Sequence, residues 1–137
     1  ENKILGQEFL EKNKNNAGIK FISHPQIQYK VVQKGLGQIP DFDDVVVVHY
    51  NGFLIDGTKF DSSYDRGEPA TFALNRVIQG WQQTLQEMPV GSKWKVYIPE
   101  NLGYGIKGVI KDAKNEEYVI PPSSTLIFDI ELINIVE

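Results

Sequence analysis

The sequence predicts an α+β fold: a twisted antiparallel β-sheet wrapped around one short α-helix, with a helical extension at the N-terminus. Three observations carry this. Hydrophobic residues alternate over Lys93–Ile98 and Thr125–Val136. The run Val45–Tyr50 is apolar on both faces. Within the domain, only the stretch from Gln79 to Met88 combines helical spacing with stop signals. A chain of 137 residues suffices for one such core and a short appendage.

Residues 1–18 are polar, with Ile4, Leu5, Phe9 and Leu10 spaced for one helix face and Asn15, Asn16 and Gly18 as the stop signal. So few apolar residues leave two readings open: the helix packs on a longer upstream helix or a second chain, or it frays on the surface. The domain proper is expected over residues 26–137. Ile27, Tyr29 and Val31 alternate with polar residues, and Gly35 and Gly37 close that strand. Pro40–Asp44 is a turn cluster, and the valine strand after it is expected to be central. Asn51-Gly52 and Asp56-Gly57 both read as turns. Thr58–Asp61 and Ala70–Leu74 read as short strands flanking a polar loop, Ser62–Pro69. Trp81 and Leu85 share a face of the helix, which Pro89 and Gly91 end. Trp94, Val96 and Ile98 point inward, as do Leu126, Phe128, Ile130 and Leu132. The connection Pro99–Ser124 shows few helix or strand signals, and loops that long are usually functional or mobile.

Composition and motifs remove several classes of function. A net charge of −4 with no basic stripe argues against nucleic acid as a partner. No apolar run reaches membrane-spanning length, which predicts a soluble chain, and the opening Glu1 in place of Met reads as processing or trimming. Without cysteine there is no disulfide, thiolate metal site or cysteine nucleophile. His24 and His49 are too few for a histidine-rich metal site, and His49 reads as a satisfied histidine within the sheet. Asp41, Asp43 and Asp44 lack the remaining ligands of a calcium loop, so no metal is expected. Ser62 and Ser63 lack a nucleophile-elbow motif, with His49 as the one available base. Gly103-Tyr104-Gly105-Ile106-Lys107-Gly108 has dinucleotide-loop spacing but leads to Pro121-Pro122 rather than a helix, so no cofactor is expected.

What remains is Val77-Ile78-Gln79-Gly80-Trp81, which sets a large aromatic at the start of a short helix. Trp81 there can floor an apolar pocket, while the unpaired N–H groups of the first turn receive a carbonyl. Such a site has little use for charged groups. It suits a neutral apolar ring attached to an amide, and proline in a peptide is that group.

From about Gln26 to Val136 the chain resembles an FK506-binding-protein (FKBP) type peptidyl-prolyl isomerase domain. The resemblance rests on Val48–Gly52, Asp56–Ser63, Val77–Trp81, Met88–Ser92, Tyr104-Gly105, Ile120–Pro122 and Thr125–Leu132, in that order. The segments Glu1–Lys3, Gly6–Asn13 and Leu85–Pro89 look like the bacterial macrophage-infectivity-potentiator branch, in which a long N-terminal helix dimerises. The resemblance implies catalysis of X-Pro isomerisation in polypeptides, binding of FK506- and rapamycin-type macrolides, a homodimer through the N-terminal helix, and the bacterial cell envelope. It also implies the site: Trp81 as floor, Tyr50, Phe60 and Phe128 as walls, with Val77 and Ile120 beside them. The Ile78 N–H and the Tyr104 hydroxyl would each receive a substrate carbonyl. Asp61 would orient Tyr50 and pair with Arg66. Ala70 stands where small eukaryotic members have Phe, which implies a more open rim, and Ile106–Val119 is longer and more charged than in those members. A non-catalytic proline-binding chaperone and a structural dimer on the same fold are the alternative readings.

Overall fold

The computed structural model describes residues 2–22, 26–112 and 117–136, with the side chain of Asp112 excepted. Glu1, His24 and the stretch 113–116 of the charged loop lie outside the described residues. The elements are α1 (Asn2–Asn13), β1 (Lys20–Ile22), β2 (Ile27–Gln33), β3 (Val45–Leu54), β4 (Lys59–Ser62), α2 (Ser63–Arg66) and β5 (Ala70–Ala73). They continue with α3 (Gln79–Leu85), β6 (Lys93–Ile98), β7 (Val109–Asp112), β8 (Glu117–Ile120) and β9 (Leu126–Val136).

The main sheet runs β1-β2-β6-β9-β3-β4, with β5 also on β3, and the pairings are antiparallel. The valine strand β3 is internal, flanked by β9 on one side and by β4 and β5 on the other. Its even-numbered residues Val46, Val48 and Tyr50 enter the core. On β9, Leu126, Phe128, Ile130 and Leu132 do the same, as period-2 alternation requires. A register shift opposite Val47-Val48 passes over Ile133 and returns Ile135 to the core side.

The sheet closes on α3. Gly80 is needed there, because a Cβ would stand 2.6 Å from the Ile98 side chain, so the helix lies directly against β6. Trp81, Thr84 and Leu85 are buried beneath it. The helix ends at Leu85 rather than Met88. Met88 precedes Pro89, which disfavours helical backbone, and its side chain goes wholly into the core.

Four further sequence readings change. Asn51-Gly52 is no turn: β3 runs straight through it, and only Asp56-Gly57, with Gly57 at φ 92°, reverses the chain. The supposed loop after Ser62 contains α2, capped by the Ser62 hydroxyl on the Asp65 N–H at 3.1 Å and ended by Gly67 at φ 82°. The long connection before β9 holds two 3-10 turns and the hairpin β7–β8. Finally, α1 docks on the domain, but not through the whole face expected. Asn2 donates to the Pro122 carbonyl, Gly6 fits against Thr125, Phe9 approaches Tyr97, and buried Asn13 donates to Gln28 at 2.8 Å, while Ile4 and Leu5 face outward.

Candidate functional site

Where α3 begins, the inner faces of β3, β4, β5 and β9 leave a cavity of about 280 Å³. Its floor is Trp81, 4 % exposed, met edge-on by three rings: Tyr50 at 5.1 Å, Phe128 at 5.2 Å and Phe72 at 5.6 Å. Phe60 stands edge-on to Phe128 at 5.7 Å. Each such pair contributes roughly 0.5–1.5 kcal/mol beyond burial and fixes ring orientation. The indole is therefore held by rings, since its Nε1 is buried with no partner among the described residues.

Gly52 makes this wall possible. A Cβ at that position would lie 2.7 Å from the Phe60 ring and 3.0 Å from Phe128. What looked like turn chemistry in the sequence is a vacancy in mid-strand that two aromatic rings fill.

Asp61 leaves β4 beside the rings and is bonded on every side. Tyr50 donates its hydroxyl to one carboxylate oxygen at 2.5 Å, while the other accepts from Arg66 and from the Ser62 N–H. Arg66 also donates to the Tyr50 hydroxyl at 3.0 Å. Helix α2 is what turns Arg66 back toward Asp61. Burial by itself would push the Asp61 carboxyl up, but the Tyr50 and Arg66 hydrogen bonds outweigh it and hold the group below the usual carboxylate value. Burial first, and then the Asp61 hydrogen bond, push the Tyr50 phenol up, so both groups stay in the protonation states the network needs.

Tyr104 closes the other side. It is 40 % exposed, and none of the bonds that hold Tyr50 and Asp61 engages its hydroxyl. Burial, then the Asp61 charge, push its phenol up, so it remains a donor. The Ile78 carbonyl accepts from Trp81 and Gln82, both at 3.0 Å, whereas the Ile78 N–H has no backbone acceptor among the described residues.

Of the residues singled out by sequence, Tyr50, Phe60, Asp61, Val77, Ile78, Trp81, Tyr104 and Phe128 line the cavity. Arg66 and Ile120 do not. Arg66 stands behind Asp61, and Ile120 is buried in the core. Phe72 and Arg76 line it and were not foreseen. Phe72 lies two residues beyond Ala70 on the same side of β5, so alternation from Ala70 was the signal for it.

His49 and Ser63 also come together, with Nδ1 and Oγ 2.8 Å apart. They form no nucleophilic pair. Ser63 is wholly buried and its Oγ accepts the Tyr50 N–H at 2.7 Å, while His49 stacks on Tyr64. This is the satisfied sheet histidine expected from the sequence.

The sequence pattern of the family described as FKBP-type peptidyl-prolyl cis-trans isomerase matches residues 37–133. The chain belongs to that family. An FKBP-type isomerase named FkpA from Aeromonas hydrophila is 47% identical over 98% of this chain and 47% of its own length. The outer membrane protein MIP of Legionella longbeachae is 44% identical over 98% of this chain and 54% of its own. The chain thus spans about half the length of these curated relatives. The crystal structure of a peptidyl-prolyl isomerase from Pseudomonas syringae superposes with a TM-score of 0.87 at 34% identity, covering 98% of this chain and 93% of that one. The FKBP-type domain here carries the macrophage-infectivity-potentiator features read from the sequence, now supported by relatives of both names.

Proposed function

We propose that this chain is a peptidyl-prolyl cis–trans isomerase that accelerates rotation about X-Pro bonds in polypeptide substrates. The observation that carries the reading is the open aromatic bowl over Trp81 at the start of α3. Rotation about an amide faces a barrier of about 18–20 kcal/mol, because resonance is lost as the bond twists. No covalent bond has to break. Water stabilises the planar, charge-separated amide more than the twisted one, so transfer into a bowl of aromatic rings lowers the barrier. The Ile78 N–H and the Tyr104 hydroxyl accelerate the reaction to the extent that they hold the carbonyls more tightly when the bond is twisted. Each tenfold acceleration requires about 1.4 kcal/mol of such differential binding. Asp61 acts through Tyr50 and Arg66, holding the wall upright without exchanging protons.

Residues 26–137 form the isomerase domain in this reading, and residues 1–18 a helical segment through which the protein dimerises. The MIP relative's name supports the bacterial envelope as the compartment, and the aromatic bowl supports macrolides of the FK506 and rapamycin type as inhibitors. A protease-free exchange assay by NMR on a proline tetrapeptide tests the activity. Acceleration that a macrolide abolishes is the expected result, and an exchange rate equal to the uncatalysed one refutes it. A second reading, a client-holding chaperone, draws on Ile106, Ile110 and Tyr118, which stand exposed after Tyr104. It predicts suppressed aggregation of an unfolded client with exchange unaccelerated.

A further inference from the structure

We propose that Arg76 gives the site a preference for substrates with a carboxylate side chain on a residue adjoining the proline. This rests on the isomerase reading and deepens it. Arg76 lines the cavity and is exposed to solvent. Among the described residues it takes part in no ion pair, those present being Lys14–Glu11, Lys59–Asp65 and Arg66–Asp61. The Asp61 carboxylate, which also lines the cavity, is matched by Arg66 behind it. Arg76 is thus the uncompensated charge among the lining residues.

Its position is fixed. The 3-10 turn Leu74–Arg76 is pinned at its start by wholly buried Leu74, whose N–H donates to the Asp44 carbonyl at 2.9 Å. It is pinned just past its end by the Val77 carbonyl, which accepts from the Gln82 side chain at 2.9 Å. Arg76 therefore stands two residues before the Ile78 N–H, against the flank of a peptide whose prolyl ring sits on Trp81. The chain's net charge of −4 disfavours acidic peptides at long range. That field is screened beyond about 8 Å at physiological salt, whereas a guanidinium at the cavity mouth acts within that distance. An exposed cation that keeps much of its hydration supplies a preference of about threefold to fivefold, not an absolute requirement.

The test is protease-free exchange NMR on two peptide series, with Glu, Gln or Lys placed before or after the proline, using the wild type, Arg76→Gln and Arg76→Glu. The readout is the Glu-to-Lys ratio of kcat/KM, in which any general loss from repacking cancels. The expected wild-type ratio is about three or more at one of the two positions, falling toward one in high salt. It is expected to vanish in Arg76→Gln and invert in Arg76→Glu. A wild-type ratio of one at both positions, or a ratio unmoved by Arg76→Glu, overturns the proposal. If no peptide is accelerated, the isomerase reading fails by itself, and the same ratio is then taken from binding titrations. Equal binding of Glu and Lys peptides overturns the selectivity, and a preference inverted by Arg76→Glu sustains it.

Discussion

The cavity has two sides built on different principles. On one, Tyr50, Phe72 and Phe128 meet Trp81 edge-on and Phe60 meets Phe128 the same way, with Asp61 and Arg66 bonded behind them. On the other, Tyr104 and Arg76 are exposed and belong to 3-10 turns or their edges. The first side consists of residues whose neighbours fix their geometry before any ligand arrives. The second consists of side chains free to meet whatever flanks the ring. Under the proposed isomerase activity the preorganised wall supplies most of the rate, Tyr104 adds a smaller share from the rim, and Arg76 biases which polypeptide is held.

This division is sharpest where the wall is cut. Phe128→Ala is expected to give the largest effect, removing a ring from both the floor and the core. A loss of about 3–5 kcal/mol of stability in urea unfolding and of most turnover is expected. Asp61→Ala comes next, with turnover reduced more than roughly tenfold and the fold retained by circular dichroism, because Tyr50 and Arg66 lose their common acceptor. Gly52→Ala is expected to cost about 1–3 kcal/mol and several-fold in turnover, since the new methyl displaces Phe60. At the rim, Tyr104→Phe is expected to lower kcat about two- to fivefold with stability unchanged. A Tyr104→Phe deficit exceeding that of Asp61→Ala would break the division.

The smallest effect is one of pH. Asp61 has its carboxyl held below the ordinary value of 3.8 by Tyr50 and Arg66 against the opposing pull of burial. Its contribution to stability is complete above that ordinary value and fades as pH falls through the lower, folded one. The thermal midpoint of the wild type is therefore expected to drop more than that of Asp61→Asn between about pH 4 and pH 2. Parallel curves for the two proteins would show that the carboxylate network does not stiffen the wall.

Much of this site is legible along the chain. The helix start at Val77–Trp81, the inward rows of β6 and β9 and the valine strand are all local patterns with periods of two or about four, visible within a short window. The misreadings cluster where chain-local chemistry has two physical uses. Asn51-Gly52 fits a hairpin turn equally well as a strand that must leave room for rings. Ser62 and Asp65 carry a capping signal for α2, and Gly67 its end, so that short helix was readable in principle. Ile4 and Leu5 have helical spacing, but Gly6 and Asn13 make the fit to the sheet, because close approach and matched hydrogen bonds select small and polar residues there.

Strands β2 to β6 and β9, the buried helix and the Trp81 floor can be read along the chain, because each is written in residues a few positions apart. That Arg76 reaches the cavity, and that Ile120 does not, follows from three-dimensional packing alone. Pairing across strands that lie far apart in the chain, with registers shifted by bulges, determines which side chains share a space, and no local period encodes that.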